Sequence, residues 1–238
     1  MMGSVKKILD SIRGGLIVSC QAPEGSPLGN PAFMAAVARA VERGGAVGIR
    51  ANGPDYIKAI KEVCSLPIIG IYKRRDLSST VYITPDFSSA EAIIKAGADI
   101  VALDGTQRPR PGGMPLPQLV NAIKAHFDVL VMADIATLEE ALFAQACGVD
   151  LIATTLAGYT QETAHTKNGP DIELVGKLAK KVKLPIIAEG RYRTPAEVCQ
   201  AISAGAYAVV VGTAITNPEI ITGWFVDALR KACPKGQQ

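Results

Sequence analysis

The sequence predicts a single α/β domain over residues 1–238, a (β/α)8 TIM barrel. Three observations predict it. Short apolar, β-branched runs alternate with longer amphipathic segments along the whole chain, as fully buried parallel strands and their covering helices do. Eight such runs occur, and eight strands each followed by a helix close a barrel more naturally than they extend an open sheet. The 238 residues fit the roughly 250 of one such barrel.

The predicted strands are 16–21, 46–51, 68–73, 99–104, 129–134, 150–156, 185–189 and 207–212. Amphipathic segments between them include 33–43, 88–95, 138–147, 172–181 and 196–204. Two internal echoes support a repeating unit. Ala96-Gly97-Ala98-Asp99 returns as Ala204-Gly205-Ala206-Tyr207, each time joining a helix to a strand through a glycine suited to the left-handed helix end. Leu66-Pro67-Ile68-Ile69 returns as Leu184-Pro185-Ile186-Ile187, opening strands three and seven. Helix starts are legible as well. Thr137 with Glu140 forms a capping box, and Thr194-Pro195 places a cap before a proline at the first helical position. No linker or low-complexity stretch marks a second domain.

Apolar residues make up 48% and charged residues 20%, the balance of a chain with a sizeable core. A net charge of +3 is too small to point to nucleic acid or an anionic membrane, but is compatible with an anionic metabolite. The five cysteines (Cys20, Cys64, Cys147, Cys199 and Cys233) form no C-x-x-C pair, which argues against a disulfide framework and a zinc site. Only two histidines are present, so a His-rich metal centre is not expected. The cysteine pattern suggests a reducing, cytoplasmic setting. Val18-Ser19-Cys20 resembles the end of a lipoprotein signal, yet Asp10, Arg13, Gly14 and Gly15 break the apolar stretch it requires. No apolar window is long enough to predict a transmembrane helix.

In a barrel of this kind the active site sits where the strands end. Those ends read Gln21, Arg50, Lys73, Asp104, Asp134, Thr154 with Thr155, Glu189 and Gly212. Polar groups thus follow apolar interiors on nearly every strand. Layers of inward side chains come from alternate strands, so Gln21, Lys73, Asp134 and Glu189 are expected to form one polar layer at the mouth. Lys73 and Glu189 lie four strands apart and should face each other across the opening. Two proton-transfer groups on opposite sides of a substrate suit inversion at a carbon. After strands seven and eight come Glu189-Gly190-Arg191 and Gly212-Thr213-Ala214-Ile215-Thr216. Glycines there admit close backbone approach, amides at a helix start complement an anion, and Arg191 can add a bidentate contact.

The ordered series Gly14–Gln21, Ile49-Arg50, Pro67–Ile71, Lys73-Arg74, Ala133-Asp134, Thr154–Leu156, Gly158–Thr160, Ala188–Arg191 and Val211–Thr216 resembles the N-acylglucosamine-6-phosphate 2-epimerase family. The match runs from about Gly14 to Phe225. The resemblance implies interconversion of N-acetylmannosamine 6-phosphate and N-acetylglucosamine 6-phosphate, a step in sialic acid breakdown. It implies Lys73 as catalytic base and Glu189 as its acid/base partner. Gln21, Arg50 and Asp134, with Thr154 and Thr155, would hold the sugar and its N-acetyl group; Gly190, Arg191, Gly212 and Thr213 would hold the phosphate. It also implies a homodimer and no metal or organic cofactor. One position departs from the family pattern: Asn217 stands where an arginine often follows Ala-Ile-Thr, so an anion-binding charge is missing there.

The chemistry that follows is removal of the hydrogen at C2 of the open-chain sugar and return of a proton to the other face. Lys73 must be neutral to act as the base, which Arg74, Arg75 or burial would favour. Glu189 either returns the proton itself or polarises a hydroxyl while Lys73 makes both transfers. The polar loop 158–170, bounded by glycine, reads as a lid, with His165 a solvated residue within it; His126 ends a helix pattern. Arg108-Pro109-Arg110-Pro111 reads as a stiff rim whose arginines are solvated or steer the anion. Two rivals remain: a lysine Schiff-base aldolase, which borohydride would trap, and a silent phosphosugar sensor, which would bind without turnover.

Overall fold

Side chains along a strand alternate between two faces, so a closed sheet sorts one set of residues to its axis and the other to its helices. The computed structural model describes residues 2–23, 25–74, 79–165 and 169–233 and shows this sorting. Eight parallel strands pair in chain order: β1 (Leu16–Cys20), β2 (Gly48–Asn52), β3 (Ile68–Ile71), β4 (Ile100–Asp104), β5 (Leu130–Asp134), β6 (Leu151–Ala153), β7 (Ile186–Glu189) and β8 (Ala208–Val211). β8 pairs back onto β1, with Ile17 opposite Val210. Ile17, Ile69, Ile71, Ile100, Met132, Ile187 and Val210 fill the axis. A second apolar layer joins the outer strand faces to the helices, Ile49, Val101 and Val131 meeting Ile57, Ile93 and Leu119.

The helices are α1 (Met2–Ile12), α2 (Pro31–Arg43), α3 (Pro54–Lys61), α4 (Phe87–Lys95), α5 (Leu116–His126), α6 (Leu138–Ala146), α7 (Ile172–Lys181), α8 (Pro195–Ser203), α9 (Thr213–Thr216) and α10 (Pro218–Ala232). The expected capping box forms between Thr137 and Glu140 before α6, and the Thr194 cap before α8 proves to be a second box, with Glu197. Gly97 and Gly205 take φ of 108° and 107°, the left-handed turn that the repeated Ala-Gly-Ala motif requires. The chain start that mimics an interrupted signal is α1. Its Ile12 is buried with Ile17, Leu130 and Leu151, and Leu9 O accepts from the Tyr207 hydroxyl at 2.9 Å. α1 therefore seals the barrel at the end opposite the strand termini.

β3 stops two residues before its predicted end, for a local reason. Beyond Ile71 the chain pairs with its own return segment: Arg74 N donates to Tyr82 O, Thr84 N donates to Tyr72 O, and Lys73 bridges Ile83 in antiparallel fashion. The same segment reaches β4, since Asp104 N donates to Ile83 O and the Thr84 hydroxyl donates to Ala102 O. Direct β3–β4 pairing ends at Gly70 and Val101. The return segment fills the gap at the mouth.

Candidate functional site

Arginine needs hydrogen-bonding partners when it leaves water, and Arg50 leaves it entirely. It points inward from β2 with 1% of its side chain exposed. Its Nη2 donates to Asp134 Oδ2 at 2.5 Å and its Nη1 to Asp134 Oδ1 at 3.0 Å, a two-pronged pairing across the barrel floor. Nη1 also donates to Glu189 Oε2 at 2.5 Å and to Thr155 Oγ1 at 3.2 Å, and the Thr155 hydroxyl donates to Asp134 Oδ1 at 2.7 Å. β2, β5, β7 and the loop after β6 thus each supply one member of a closed network. Burial works against the Arg50 charge, but Asp134 and Glu189 outweigh it and hold the guanidinium protonated more firmly than usual. The Glu189 carboxyl is pushed above its ordinary value. Burial is the main cause and the Asp134 charge adds to it, while Arg50, a bond from Thr155 and the Lys73 charge pull the other way.

Over this network opens a cavity of about 500 Å³, within the range of small-molecule sites. Lys73 and Glu189 both line it, from strands four places apart in a closed ring of eight. Gln21, Arg50, Thr155, Gly190, Arg191, Gly212 and Thr213 line it too. Two buried atoms at its floor, Gln21 Oε1 and Arg50 Nε, have no partner among the described residues. Gln21 Nε2 donates to Ser19 Oγ at 2.8 Å, which sets the amide's orientation. α9 starts at Thr213 immediately after β8, giving the short extra helix expected beside a phosphate.

Several predicted residues take other places. Asp134 is fully buried beneath Arg50 and is not part of the cavity wall. Thr154 is also off the wall: its hydroxyl accepts from Glu189 N and donates to Glu189 O, pinning the end of β7 to β6. Lys73 is exposed at the rim, so burial does not ready it as a base, and Arg75 lies outside the described residues. Arg191 turns toward the loop after β6. With φ of 60° it donates from Nε to Gly169 O at 2.7 Å and from Nη1 to Ala157 O at 2.5 Å. It clamps both ends of the loop read as a lid, of which residues 166–168 lie outside the described set. Its planar fork is thereby committed to carbonyls. His165 and His126 are exposed, as their solvated positions in the sequence suggest.

Arg108 and Arg110 are corrected outright. Neither is on the cavity wall. Arg108 donates to the buried Asp104 carboxylate at 2.7 Å, and Arg110, itself buried, donates to Asp104 O. Asn217 is buried as the N-cap of α10, where its side chain accepts from Ile220 N at 3.1 Å.

The cavity also includes Ser19, Tyr82, Ile83, Tyr192, Arg193 and Trp224, none singled out in the sequence. Ser19 was within reach, because two residues before Gln21 is the same strand face. Tyr82 and Ile83 sit on the return segment after β3, which carries no barrel signature. Trp224 comes from α10, distant in sequence from every strand end except β8.

Comparisons with known proteins place the chain in a family. Residues 34–231 match a family model described as "Putative N-acetylmannosamine-6-phosphate epimerase". A protein of Cutibacterium acnes is 50% identical over 232 residues, 97% of this chain and 100% of the relative. One of Caldanaerobacter subterraneus subsp. tengcongensis is 51% identical over 225 residues, 94% of each chain. Both carry the description "Putative N-acetylmannosamine-6-phosphate 2-epimerase". A solved structure of the N-acetylmannosamine-6-phosphate 2-epimerase from Clostridium perfringens superposes with a TM-score of 0.90 at 46% identity, covering 93% of this chain and 96% of that one.

Proposed function

Because the chain belongs to the N-acetylmannosamine-6-phosphate epimerase family, we propose that it interconverts N-acetylmannosamine 6-phosphate and N-acetylglucosamine 6-phosphate at the cavity above Arg50. The observation that carries this is the pairing of Lys73 and Glu189 across one cavity whose floor is a buried arginine. In the open-chain sugar the C2 hydrogen is acidic, because the C1 carbonyl accepts the electrons of the broken bond. Lys73 takes that proton, the C2–H electrons form the C1–C2 double bond, and O1 gains the negative charge. Returning a proton to the opposite face of C2 restores the carbonyl with inverted configuration. Glu189, with its proton affinity raised by burial, is suited to hold a proton at the far side.

Arg50 Nε and Gln21 Oε1 are a buried donor and acceptor suited to sugar hydroxyls and the N-acetyl group. Gly190, Gly212 and Thr213 supply the backbone cradle for the phosphate. Asp134, Thr154 and Thr155 position Arg50 and Glu189. The family chemistry is proton transfer, for which residues 1–238 act as one barrel unit without metal or organic cofactor. We place the enzyme in the cytoplasm, consistent with five cysteines free of disulfides. No helix among the described residues is long and apolar enough to cross a membrane.

Proton NMR of the protein with N-acetylmannosamine 6-phosphate in D₂O tests the reaction. The expected result is the gluco epimer carrying deuterium at C2. Epimer that retains the substrate's own C2 hydrogen keeps the activity and points to a proton return shielded from solvent or to another mechanism. Binding without any epimer overturns the proposal and favours a silent sensor.

We further infer a homodimer formed through α10. This helix buries none of its residues, and Phe225 (69% exposed) and Leu229 (66%) stand one turn apart on its surface. Light scattering should give a dimer for the wild type and a monomer for the Phe225→Ser, Leu229→Ser double variant. A monomeric wild type sinks the idea.

A further inference from the structure

We propose that Arg193, stacked on Trp224, is the cation that grips the substrate's phosphate in this chain. This rests on the phosphosugar function above. The loops after β7 and β8 bring two cations to the cavity, and one of them is occupied. Arg191 directs Nε and Nη1 to the carbonyls of Gly169 and Ala157, and its guanidinium lies 5.3 Å from the Tyr159 ring. Asn217 lines the cavity as well but carries no charge, and its side-chain oxygen caps α10. Arg193 lines the same cavity as Gly190, Gly212 and Thr213, and its side chain is exposed. Among the described residues, no carboxylate forms an ion pair with its guanidinium.

Its placement is built. The backbone N of Arg193 donates to Glu197 Oε2 at 2.7 Å, so the α8 capping box fixes the loop. The guanidinium carbon sits 4.9 Å from the centre of the Trp224 ring. A guanidinium held over an aromatic ring keeps its N–H groups for other partners, and a phosphate can accept two parallel bonds from such a fork. Trp224 belongs to α10, which follows α9 and the loop after β8, whereas Arg193 belongs to the loop after β7. The contact therefore ties the loop after β7 to the helix that follows the loop after β8. A charge on the β7 loop replaces the one that Asn217 does not carry.

The test is Arg193→Ala and Arg193→Lys, read by kinetics with N-acetylmannosamine 6-phosphate and by calorimetric titration of inorganic phosphate. Arg193→Ala should raise KM and the Kd of phosphate together by about 10- to 100-fold, with a smaller change in kcat. Arg193→Lys should recover only part of this, since an ammonium restores charge without the planar fork. Unchanged KM and phosphate Kd in Arg193→Ala, with the wild type active, overturn the proposal. The same is true if Arg191→Ala alone weakens phosphate binding in a folded protein. A wild type that binds phosphate through Arg193 but produces no epimer would refute the epimerase function and leave the phosphate grip standing.

Discussion

Two arginine–aspartate clusters stand at the same end of the barrel, and they do opposite things. In one, Arg50 on β2 reaches Asp134 on β5 and Glu189 on β7, so its partners lie 84 and 139 residues away. In the other, Asp104 at the end of β4 takes Arg108 four residues later and Thr106 two residues later. Both aspartates are fully buried. The long-range cluster leaves Arg50 Nε and one face of Glu189 toward a cavity. The short-range cluster satisfies Asp104 locally: Thr106 N and Oγ1 occupy one carboxylate oxygen, Arg108 the other, and Arg110 the carbonyl, and neither arginine is on the cavity wall. A cluster assembled from distant strands can only form when the barrel does, and so can hold chemistry at a defined geometry. A local one shapes a turn.

The largest effect that separates them is catalytic. Glu189→Gln should lower kcat by about 10² to 10⁴, the usual contribution of a positioned acid–base group, as followed by NMR turnover. Its stability should respond in the opposite sense with pH. Because the folded-state pKa of Glu189 is raised, ionisation penalises the fold, and stability present at low pH is lost as pH rises through that raised value. Glu189→Gln removes that loss, so the variant's melting temperature should gain on the wild type's between mildly acidic and alkaline pH. A gap between the two that narrows or stays flat over this range would show that Arg50 fully compensates the buried carboxylate.

Next comes a stability effect. Asp134→Asn leaves Arg50 without its two-pronged partner where both side chains are all but buried, and breaking a buried pair of this kind costs about 3 kcal/mol or more. Urea denaturation reads the loss. Activity should fall with it, since Arg50 then has only Glu189 and Thr155 to hold it in place. A loss under about 1 kcal/mol would place Asp134 among ordinary hydrogen-bonded aspartates and weaken the contrast with the β4 cluster.

The barrel was legible because its evidence is periodic: eight buried runs, repeated Ala-Gly-Ala turns, a capping box and a Thr-Pro helix start are all local signals. Strand-end reasoning also reached Lys73, Glu189, Arg50 and Gln21, which do line one cavity. It could not separate the wall from the floor. Asp134 and Arg50 both end strands, yet one lies beneath the other, because a guanidinium long enough to cross the barrel covers the shorter carboxylate. Nor could it tell which arginines face a ligand. Arg108-Pro109-Arg110 looks like a basic rim, but both guanidinium groups fold back onto Asp104, whose burial has no sequence signature. Tyr82 and Ile83 were missed because their segment enters the barrel mouth through antiparallel pairing with Tyr72–Arg74, outside the βα repeat.

The smallest effect completes the comparison. Arg108→Gln removes a partner from Asp104 that is itself 21% exposed, while the other carboxylate oxygen keeps both bonds from Thr106. The expected loss is about 1–2 kcal/mol in urea denaturation, the cost of one charge-assisted bond at a partly wet site. Its kcat/KM for the phosphosugar should stay within about twofold of wild type, as for a substitution outside the cavity wall. If Arg108 steered the anion instead, kcat/KM would fall several-fold at low ionic strength and recover as salt screened the field, with stability unchanged. The two readouts move in opposite patterns under the two roles, so a salt series on this single variant decides whether the β4 cluster serves the fold or the substrate.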